Sequence, residues 1–529
     1  MNNDEIIKEA EQEIDLFFFS NKLKDIGYTQ AVWTLLSVVE DLYFIKREIH
    51  QLPNEKLDAY VDSLMSWLSY PLRVCLKESD KRYSKLIRDM IDDHYGYAFD
   101  WIRESENYWS FCSIFPLFHR KEIQISITND ELVVDDLNML GIEYEAYNGL
   151  IKKSGNNSPT ILDLNQITNI VVANTKFDRK KRTFKIDFNS DLVSELIILC
   201  KKGFSDRYNL PEDWRFSDFT ISDFKSVFIT TQILSLAWNI AKTKAASMMV
   251  EPAYKSSVWV VRKQELVSTI SKYSKIPKDI VQKIYQKITF GGEGIRDPDI
   301  AVQPLIDLYN GYYAISPFVW TNVDSERNLC VLLNQIDSEK KLYLALVQNK
   351  EALLRNEFIH LAISLSLDYK HGEIKDTDID LALIDRERKI CLIMEMKWFI
   401  EPAETRECYD RSKELKKGVK QALKIKNAYA NSDQKLVKEI LNIEPDYEFL
   451  TIVVSKNWIG HSNVQHPEVP IIKSGDLIKN LESSKSLRKT IAWLTRRDYL
   501  PKIEKDFDVH YIDIEVGKWK SKWYGIKPL

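Results

Sequence analysis

The stretch from residue 377 to residue 397 constrains the fold of this chain more than any other. Thr377 to Ile384 and Ile390 to Lys397 are mostly apolar, and the charged segment Asp385-Arg386-Glu387-Arg388 separates them. Two apolar runs joined by a short polar segment are typical of a β-hairpin. The sequence therefore predicts a buried hairpin in the carboxy-terminal third of the chain.

Three ionisable residues lie at one end of this hairpin. Side chains alternate along a strand, so Glu395 and Lys397 project from the same face, and the hairpin register brings Asp380 beside Glu395. Two buried carboxylates repel each other unless a cation holds them, and Mg²⁺ prefers such oxygen ligands. We therefore predict Asp380 and Glu395 as ligands of Mg²⁺, which Mn²⁺ can replace, and Lys397 as a catalytic group; the alternative is salt-bridged strand ends.

A helix is predicted before the hairpin, from Val347 to about Leu367. Leu353, Glu357, Leu361 and Leu365 follow each other at intervals of four, so they share one helical face. A carboxylate within an apolar stripe is costly unless it is paired or coordinated. We expect Glu357 to add a catalytic or metal-binding carboxylate, and the alternative is a glutamate at the edge of the helix in solvent.

A second helix is predicted after the hairpin, from about Ala403 to Tyr429, and it is rich in lysine. Lys417, Lys420 and Lys424 share one face, with Gln421 at its edge. These lysines are candidates for binding a nucleic-acid backbone, although a solvated face explains them equally well. Gly418 weakens the helix, which indicates a close approach of its backbone to another element.

In order, these segments are a helix with Glu357, a strand with Asp380, a strand with Glu395 and Lys397, a helix with Gln421, and an apolar strand at 449–454. This order resembles the PD-(D/E)XK, or restriction-endonuclease-like, phosphodiesterase superfamily over about residues 341–475. The resemblance implies an αβββαβ core, although the remaining strand of its opening meander is not located in the sequence.

The resemblance also implies roles for individual residues. Asp380 and Glu395 match the metal-binding acids, Lys397 matches the catalytic lysine, and Glu357 matches the acid of the first helix. Gln421 matches the glutamine of the later helix, although Ile425 stands where many members have tyrosine, and Asp378 is a candidate auxiliary acid. Large proteins with such a carboxy-terminal domain often serve restriction or defence against foreign DNA, so we expect cleavage of DNA, by endonuclease rather than exonuclease action, in restriction or antiviral defence.

The rest of the chain predicts a multidomain α+β protein. We expect a mainly helical domain over residues 1–150, a mixed α/β domain over 151–340 and the α/β nuclease-like domain over 341–529, with a soft boundary at the loop Lys152–Pro159. A strong helix is predicted from about Ser222 to Met248. The basic cluster between Lys176 and Lys185 fits a solvated hairpin tip better than a phosphate contact.

Several classes of protein are disfavoured by the sequence. It shows no signal peptide and no long apolar run, so we expect a cytoplasmic protein that does not contact a membrane. The six cysteines form no Cys-x-x-Cys pair, and no Walker A pattern occurs in the 529 residues. The net charge of −4 still permits a local basic face for nucleic acid.

The sequence therefore predicts a magnesium-dependent nuclease whose partner is nucleic acid, DNA in preference to RNA. The alternative is a catalytically silent protein of the same fold that serves as a nucleic-acid-binding or assembly scaffold. A third hypothesis is a helical assembly protein in which the nuclease fold is passive. The sequence leaves open whether the chain forms a homo-oligomer or binds a partner protein.

Overall fold

The structure is a computed structural model of the chain. It describes residues 3–82, 85–121, 123–135, 139–150, 163–201, 203–204, 210–249, 254–292, 295, 297–374, 377–399, 405–456, 458–460 and 464–529. The loop Lys152–Pro159, used above as a soft boundary, lies outside these residues. Within the described residues, no helix combines the length and the apolar character that a membrane crossing requires.

The described residues form a mixed α+β protein. The helices are α1 (Asn3–Phe19), α2 (Tyr28–Phe44), α3 (Asn54–Glu78), α4 (Asp92–His119), α5 (Met139–Leu150), α6 (Leu164–Ala173), α7 (Ser190–Cys200), α8 (Ile221–Met249), α9 (Lys263–Ser274), α10 (Lys278–Ile288), α11 (Pro317–Asn322), α12 (Ser325–Gln335), α13 (Asp337–Ser364), α14 (Thr405–Ala430), α15 (Ser474–Ser484) and α16 (Leu487–Arg496).

The strands are short and fall into several sheets. They are β1 (Gln124–Thr128), β2 (Glu131–Asp135), β3 (Thr175–Asp178), β4 (Thr183–Ile186), β5 (Trp259–Arg262), β6 (Leu305–Asp307), β7 (Tyr312–Ile315), β8 (Asp368–Ile374), β9 (Thr377–Asp385), β10 (Ile390–Lys397), β11 (Glu448–Ser455), β12 (Ile471–Lys473), β13 (Phe507–Val516) and β14 (Trp519–Pro528). The sheet orders are β1-β2-β14-β13, β12-β11-β10-β9-β8, β3-β4 and β5-β7-β6.

The chain divides into two compact units, and neither is a single stretch of sequence. The first unit contains Met1–Cys112, Asn157–Tyr343 and Ile514–Lys520, and the second contains Ser113–Asn156, Leu344–Asp513 and Ser521–Leu529. The boundary at Tyr343 lies close to the one predicted near residue 340. Residues 113–156, however, belong with the carboxy-terminal part of the chain.

Helices dominate the first unit. The strong helix predicted in the middle of the chain is confirmed as α8, which spans Ile221–Met249. One core cluster of this unit packs Phe184 of β4 against Leu196 of α7 and Ala237 of α8. The β3-β4 hairpin is therefore held to the helices through its apolar face.

The second unit is built around the five-stranded sheet β12-β11-β10-β9-β8. β8, β9 and β10 pair antiparallel, and β10, β11 and β12 pair parallel. Helix α13 precedes the three antiparallel strands, and α14 connects β10 to β11. The hairpin predicted over residues 377–397 is therefore present as β9 and β10, and β8 adds a strand that was not located in the sequence.

Strand β10 lies at the centre of this sheet, and its two faces belong to different core clusters. Leu392 and Met394 belong to a cluster with Phe358 of α13, whereas Cys391 and Ile393 belong to one with Ile425 of α14. A strand covered on both faces is expected to be apolar on both. Because side chains alternate along a strand, residues 395 and 397 continue the face that α14 covers.

Candidate active site

Asp380, Glu395 and Lys397 lie together where β9 begins and β10 ends. The antiparallel register pairs Met394 with Leu381, and one further step places Glu395 opposite Asp380. The Met396 N–H donates a 2.6 Å hydrogen bond to Asp380 Oδ2. Lys397 Nζ donates a 2.7 Å hydrogen bond to Glu395 Oε1. The structure thus brings together the three residues that the sequence singled out.

The Glu395 carboxylate is buried and only partly satisfied. The residue is 2% exposed, and its Oε2 atom has no hydrogen-bond partner in the described part of the chain. Burial, and then the nearby charge of Asp380, raise the pKa of Glu395 to about 8. Burial also raises the pKa of Asp380. Such perturbed carboxyl groups cluster at functional sites more often than elsewhere.

Lys397 retains its positive charge in this environment. Burial by itself lowers the pKa of a lysine, but the ion pair with Glu395 and the charges of Glu351 and Asp380 raise the pKa of Lys397 above its usual value. An ammonium group therefore stands beside the two carboxylates. It offers a fixed positive charge to any anion that approaches them.

The helix carboxylate beside Lys397 and Asp380 is Glu351, which was not predicted from the sequence. Glu351 Oε1 accepts a 3.4 Å hydrogen bond from the Trp398 N–H, directly after β10. Burial raises the pKa of Glu351, which also interacts electrostatically with Lys397 and Asp380. Helical spacing contained a signal for this residue, because Glu351 lies two turns before the buried Phe358.

The predicted helical face with Glu357 is only partly buried: Leu361 is buried, but the prediction was wrong at Leu353 and Glu357, which are exposed. Leu353 is 46% exposed, whereas the buried residues of this helix include Leu354, Phe358 and Ala362. Glu357 is exposed, and its Oε2 atom forms a 2.9 Å ion pair with Lys456 Nζ. The structure therefore places Glu357 in solvent, as in the alternative stated above, because packing against the sheet selects the adjacent stripe of the helix.

Helix α14 covers the site with its backbone at Gly418. A Cβ atom at this position would lie 3.4 Å from Glu395 Cγ and 3.4 Å from Lys397 Cε. The close approach predicted from this glycine is therefore confirmed. Gln421 is half-buried and lies one helical turn further along, so it is on the same side of the helix as Gly418.

The three lysines predicted to bind nucleic acid lie on the outer surface of α14. Lys417, Lys420 and Lys424 are all exposed. Lys417 Nζ is 2.8 Å from Glu414 Oε1, an exposed pair of the kind that contributes little to stability. Their exposure suits a phosphate contact and a solvated face equally, so their role stays a prediction.

The donor set fits a divalent cation bound by two carboxylates. No group of three or more His, Cys, Asp and Glu side chains suited to a metal ion occurs within the described residues. Mg²⁺, however, is often bound through one or two carboxylates and keeps several waters. Asp380 and Glu395 supply such a pair, and Glu395 Oε2 is a buried oxygen without a partner in the part of the chain that the structure describes.

Comparisons with known proteins give no family for this chain. No family model, no curated protein and no solved structure matches it. A function for this chain therefore has to be inferred from the site itself.

Proposed function

We propose that the second unit is a magnesium-dependent phosphodiesterase that hydrolyses nucleic acid, with DNA as the preferred substrate. One observation carries the proposal: the buried Glu395 and the half-buried Asp380 lie beside a charged lysine, and one oxygen of Glu395 has no partner in the described residues. A buried oxygen without a partner calls for an explanation, and beside a second carboxylate a bound cation would supply one. The order of helices and strands around the site, which resembles the PD-(D/E)XK superfamily, supports the same proposal.

Each side chain has a separate role in this proposal. Asp380 and Glu395 would hold the Mg²⁺ ion, which supplies an activated water and stabilises negative charge when it is bound. The Met396 N–H fixes the orientation of the Asp380 carboxylate through its 2.6 Å hydrogen bond. Lys397 places its ammonium group where negative charge develops on the phosphate. Glu351 lies close enough to raise the pKa of Lys397 and so helps to keep the lysine positively charged.

The proposal is tested by incubating the full chain with plasmid, linear duplex DNA, single-stranded DNA and RNA, in Mg²⁺, Mn²⁺ or EDTA. We expect cleavage with either metal and none with EDTA. Asp380→Asn should abolish cleavage, and it should also abolish metal binding, which is measured by calorimetric titration. Lys397→Met should lower the cleavage rate by about 10²- to 10³-fold, as removal of one charge-stabilising group typically does, and should leave metal binding intact.

Helix α13 offers a test variant and a matched control, because it carries both Glu351 and Glu357. Glu351→Gln should lower the rate, whereas Glu357→Gln should not, because only Glu351 interacts with Lys397 and Asp380 among these two glutamates. Cleavage that persists in excess EDTA, or that survives Asp380→Asn, would refute the proposed chemistry. A chain that binds DNA but cleaves nothing with either metal would instead support the silent scaffold.

A further inference from the structure

The basic cluster of the first unit lies on a two-stranded hairpin with one buried face and one exposed face. The register of β3 and β4 pairs Phe177 with Phe184 and Lys176 with Lys185. Phe184 is buried and belongs to the core cluster formed with α6, α7 and α8. Directly opposed residues share a face, so Lys176 and Lys185 stand side by side on the outer face, where both are exposed.

Two features of this hairpin oppose its own stability. Like charges placed directly opposite each other destabilise a strand pair. In the turn, Arg182 has a φ of 51°, a left-handed conformation in which Gly or Asn would be favoured. Folding alone would therefore favour other residues than Lys176, Lys185 and Arg182 at these positions.

The charge of the hairpin is also opposite to that of the whole chain. Residues 175–187 contain six basic and two acidic residues, a net charge of +4, whereas the chain has a net charge of −4. Lys181 Nζ lies 3.9 Å from Asp178 Oδ2, and such an exposed pair neutralises little. The basic residues are Lys176, Arg179, Lys180, Lys181, Arg182 and Lys185.

We propose that this basic hairpin binds the phosphate backbone of duplex DNA. Its positive charge complements the phosphates, and a two-stranded ribbon is narrow enough to enter the major groove, which is about 12 Å wide. The inference rests on the proposed function only for the choice of DNA among polyanions. It assigns a contact to the first unit that is independent of the lysines of α14.

The test compares two variants of the full chain that lose the same charge. The hairpin variant carries Lys176→Gln, Arg179→Gln, Lys180→Gln and Lys185→Gln. The matched control carries Lys8→Gln, Lys56→Gln, Lys278→Gln and Lys340→Gln, four exposed lysines dispersed over the first unit. Binding to a fluorescent DNA duplex is measured by anisotropy in EDTA across a salt series, so that the result does not depend on cleavage.

We expect the hairpin variant to bind at least about tenfold more weakly near physiological salt, because each lost phosphate contact reduces the salt slope by about 0.9. The control should retain the wild-type slope. If the wild type and the hairpin variant show equal salt slopes of DNA affinity, and circular dichroism shows that both are folded, the inference is wrong and the basic cluster is a solvated hairpin tip. Equal losses in both variants would show a net-charge effect and overturn the inference.

Binding to vesicles of anionic lipid is measured in parallel, because a membrane surface with negative charge is an alternative ligand for the basic hairpin. A loss of vesicle binding without a loss of DNA binding in the hairpin variant would overturn the inference. Cleavage measured separately in Mg²⁺ distinguishes the two proposals. If the protein cleaves DNA but the hairpin variant binds DNA as tightly as the wild type, only this inference is contradicted. If DNA binding depends on the hairpin but no cleavage occurs, only the proposed function is contradicted.

Discussion

Each unit contains a buried glutamate that pairs with a lysine, and the carboxylate oxygens of the two glutamates differ in how completely they are hydrogen-bonded. In the first unit, Glu40 is fully buried, and one of its carboxylate oxygens pairs with Lys242 Nζ. Its other oxygen accepts hydrogen bonds of 2.6 Å from Ser316 Oγ and 2.8 Å from the Phe318 N–H. In the second unit, Glu395 pairs with Lys397 through Oε1, while Oε2 has no partner among the described residues.

This difference separates a structural ion pair from a candidate catalytic one. Both oxygens of Glu40 have protein partners, and those partners connect α2, α8 and the start of α11. One oxygen of Glu395 has no partner among the described residues, and a second carboxylate beside it raises the pKa of Glu395 further. Burial of charge alone therefore does not mark a functional site, and neither does an oxygen without a hydrogen-bond partner, since Glu339 Oε1 of the first unit also lacks one among the described residues. What distinguishes Glu395 is that such an oxygen occurs beside a second carboxylate, Asp380.

The largest expected effect on stability comes from breaking the Glu40–Lys242 pair, in which both carboxylate oxygens have partners. Lys242→Met should lower the free energy of unfolding by about 3–5 kcal/mol, because it leaves the Glu40 carboxylate buried without its counter-charge. Urea unfolding measures the change. The double variant Glu40→Gln/Lys242→Met should recover most of the loss, since Gln still accepts from Ser316 and Phe318. No recovery would mean that the charge of Glu40 is not what makes the single variant unstable.

The second prediction concerns the Glu395–Lys397 pair, and it states how the stability of the metal-free protein depends on pH. The pKa of Glu395 is about 8 in the folded chain against 4.5 for an ordinary glutamate. The folded state therefore holds this proton more tightly, and its stability should fall as pH rises from about 4.5 to about 8. We expect a loss of about 1–3 kcal/mol, typical of a buried polar group without a partner.

The control for this pH dependence is Glu395→Gln, which cannot ionise. Unfolding in urea, measured in EDTA at several pH values, should show a shallower decline for Glu395→Gln than for the wild type. Parallel curves for the two proteins would show that Glu395 does not carry the raised pKa.

The smallest expected effect on stability comes from Gly418→Ala. Alanine favours a helix over glycine by about 1 kcal/mol, and its Cβ atom would lie 3.4 Å from Glu395 Cγ and Lys397 Cε, at the short limit of van der Waals contact, so any shift of these side chains opposes that gain. The cleavage rate should nevertheless fall, because small displacements of catalytic groups are costly. Gly475→Ala in α15 is the matched control, since a Cβ atom there meets nothing within 4 Å. Equal cleavage rates for both variants would contradict the close packing of α14 over the site.

The part of the site that sequence predicted is the part that depends on local geometry. Strand alternation and a short turn sufficed to place Asp380, Glu395 and Lys397 together, because the hairpin fixes their register. Glu351 and Glu357 share one helix, and only packing against the sheet decides which of them turns inward. Spacing alone favoured the wrong one.

Two features of the fold had weaker signals in the sequence. Strand β8 reads Asp-Tyr-Lys-His-Gly-Glu-Ile and lies at the edge of its sheet, so it lacks the apolar alternation that identifies a strand. Residues 113–156 join the second unit although residues 157–343 separate them from its next segment. Hydrogen bonds such as the one from Asn148 Nδ2 to the Gly460 carbonyl, 3.1 Å long, link positions that no local pattern relates.

The discontinuous second unit has a consequence for anyone who divides the gene. The chain passes between the units after residues 112, 156, 343, 513 and 520, so no single cut yields two complete pieces. A fragment that starts at Leu344 omits Tyr147, whose hydroxyl donates a 2.5 Å hydrogen bond to Asp476. The segments of the two units alternate along the whole chain, so circular permutation does not make either unit contiguous, and an exchange of one unit has to replace all three of its segments.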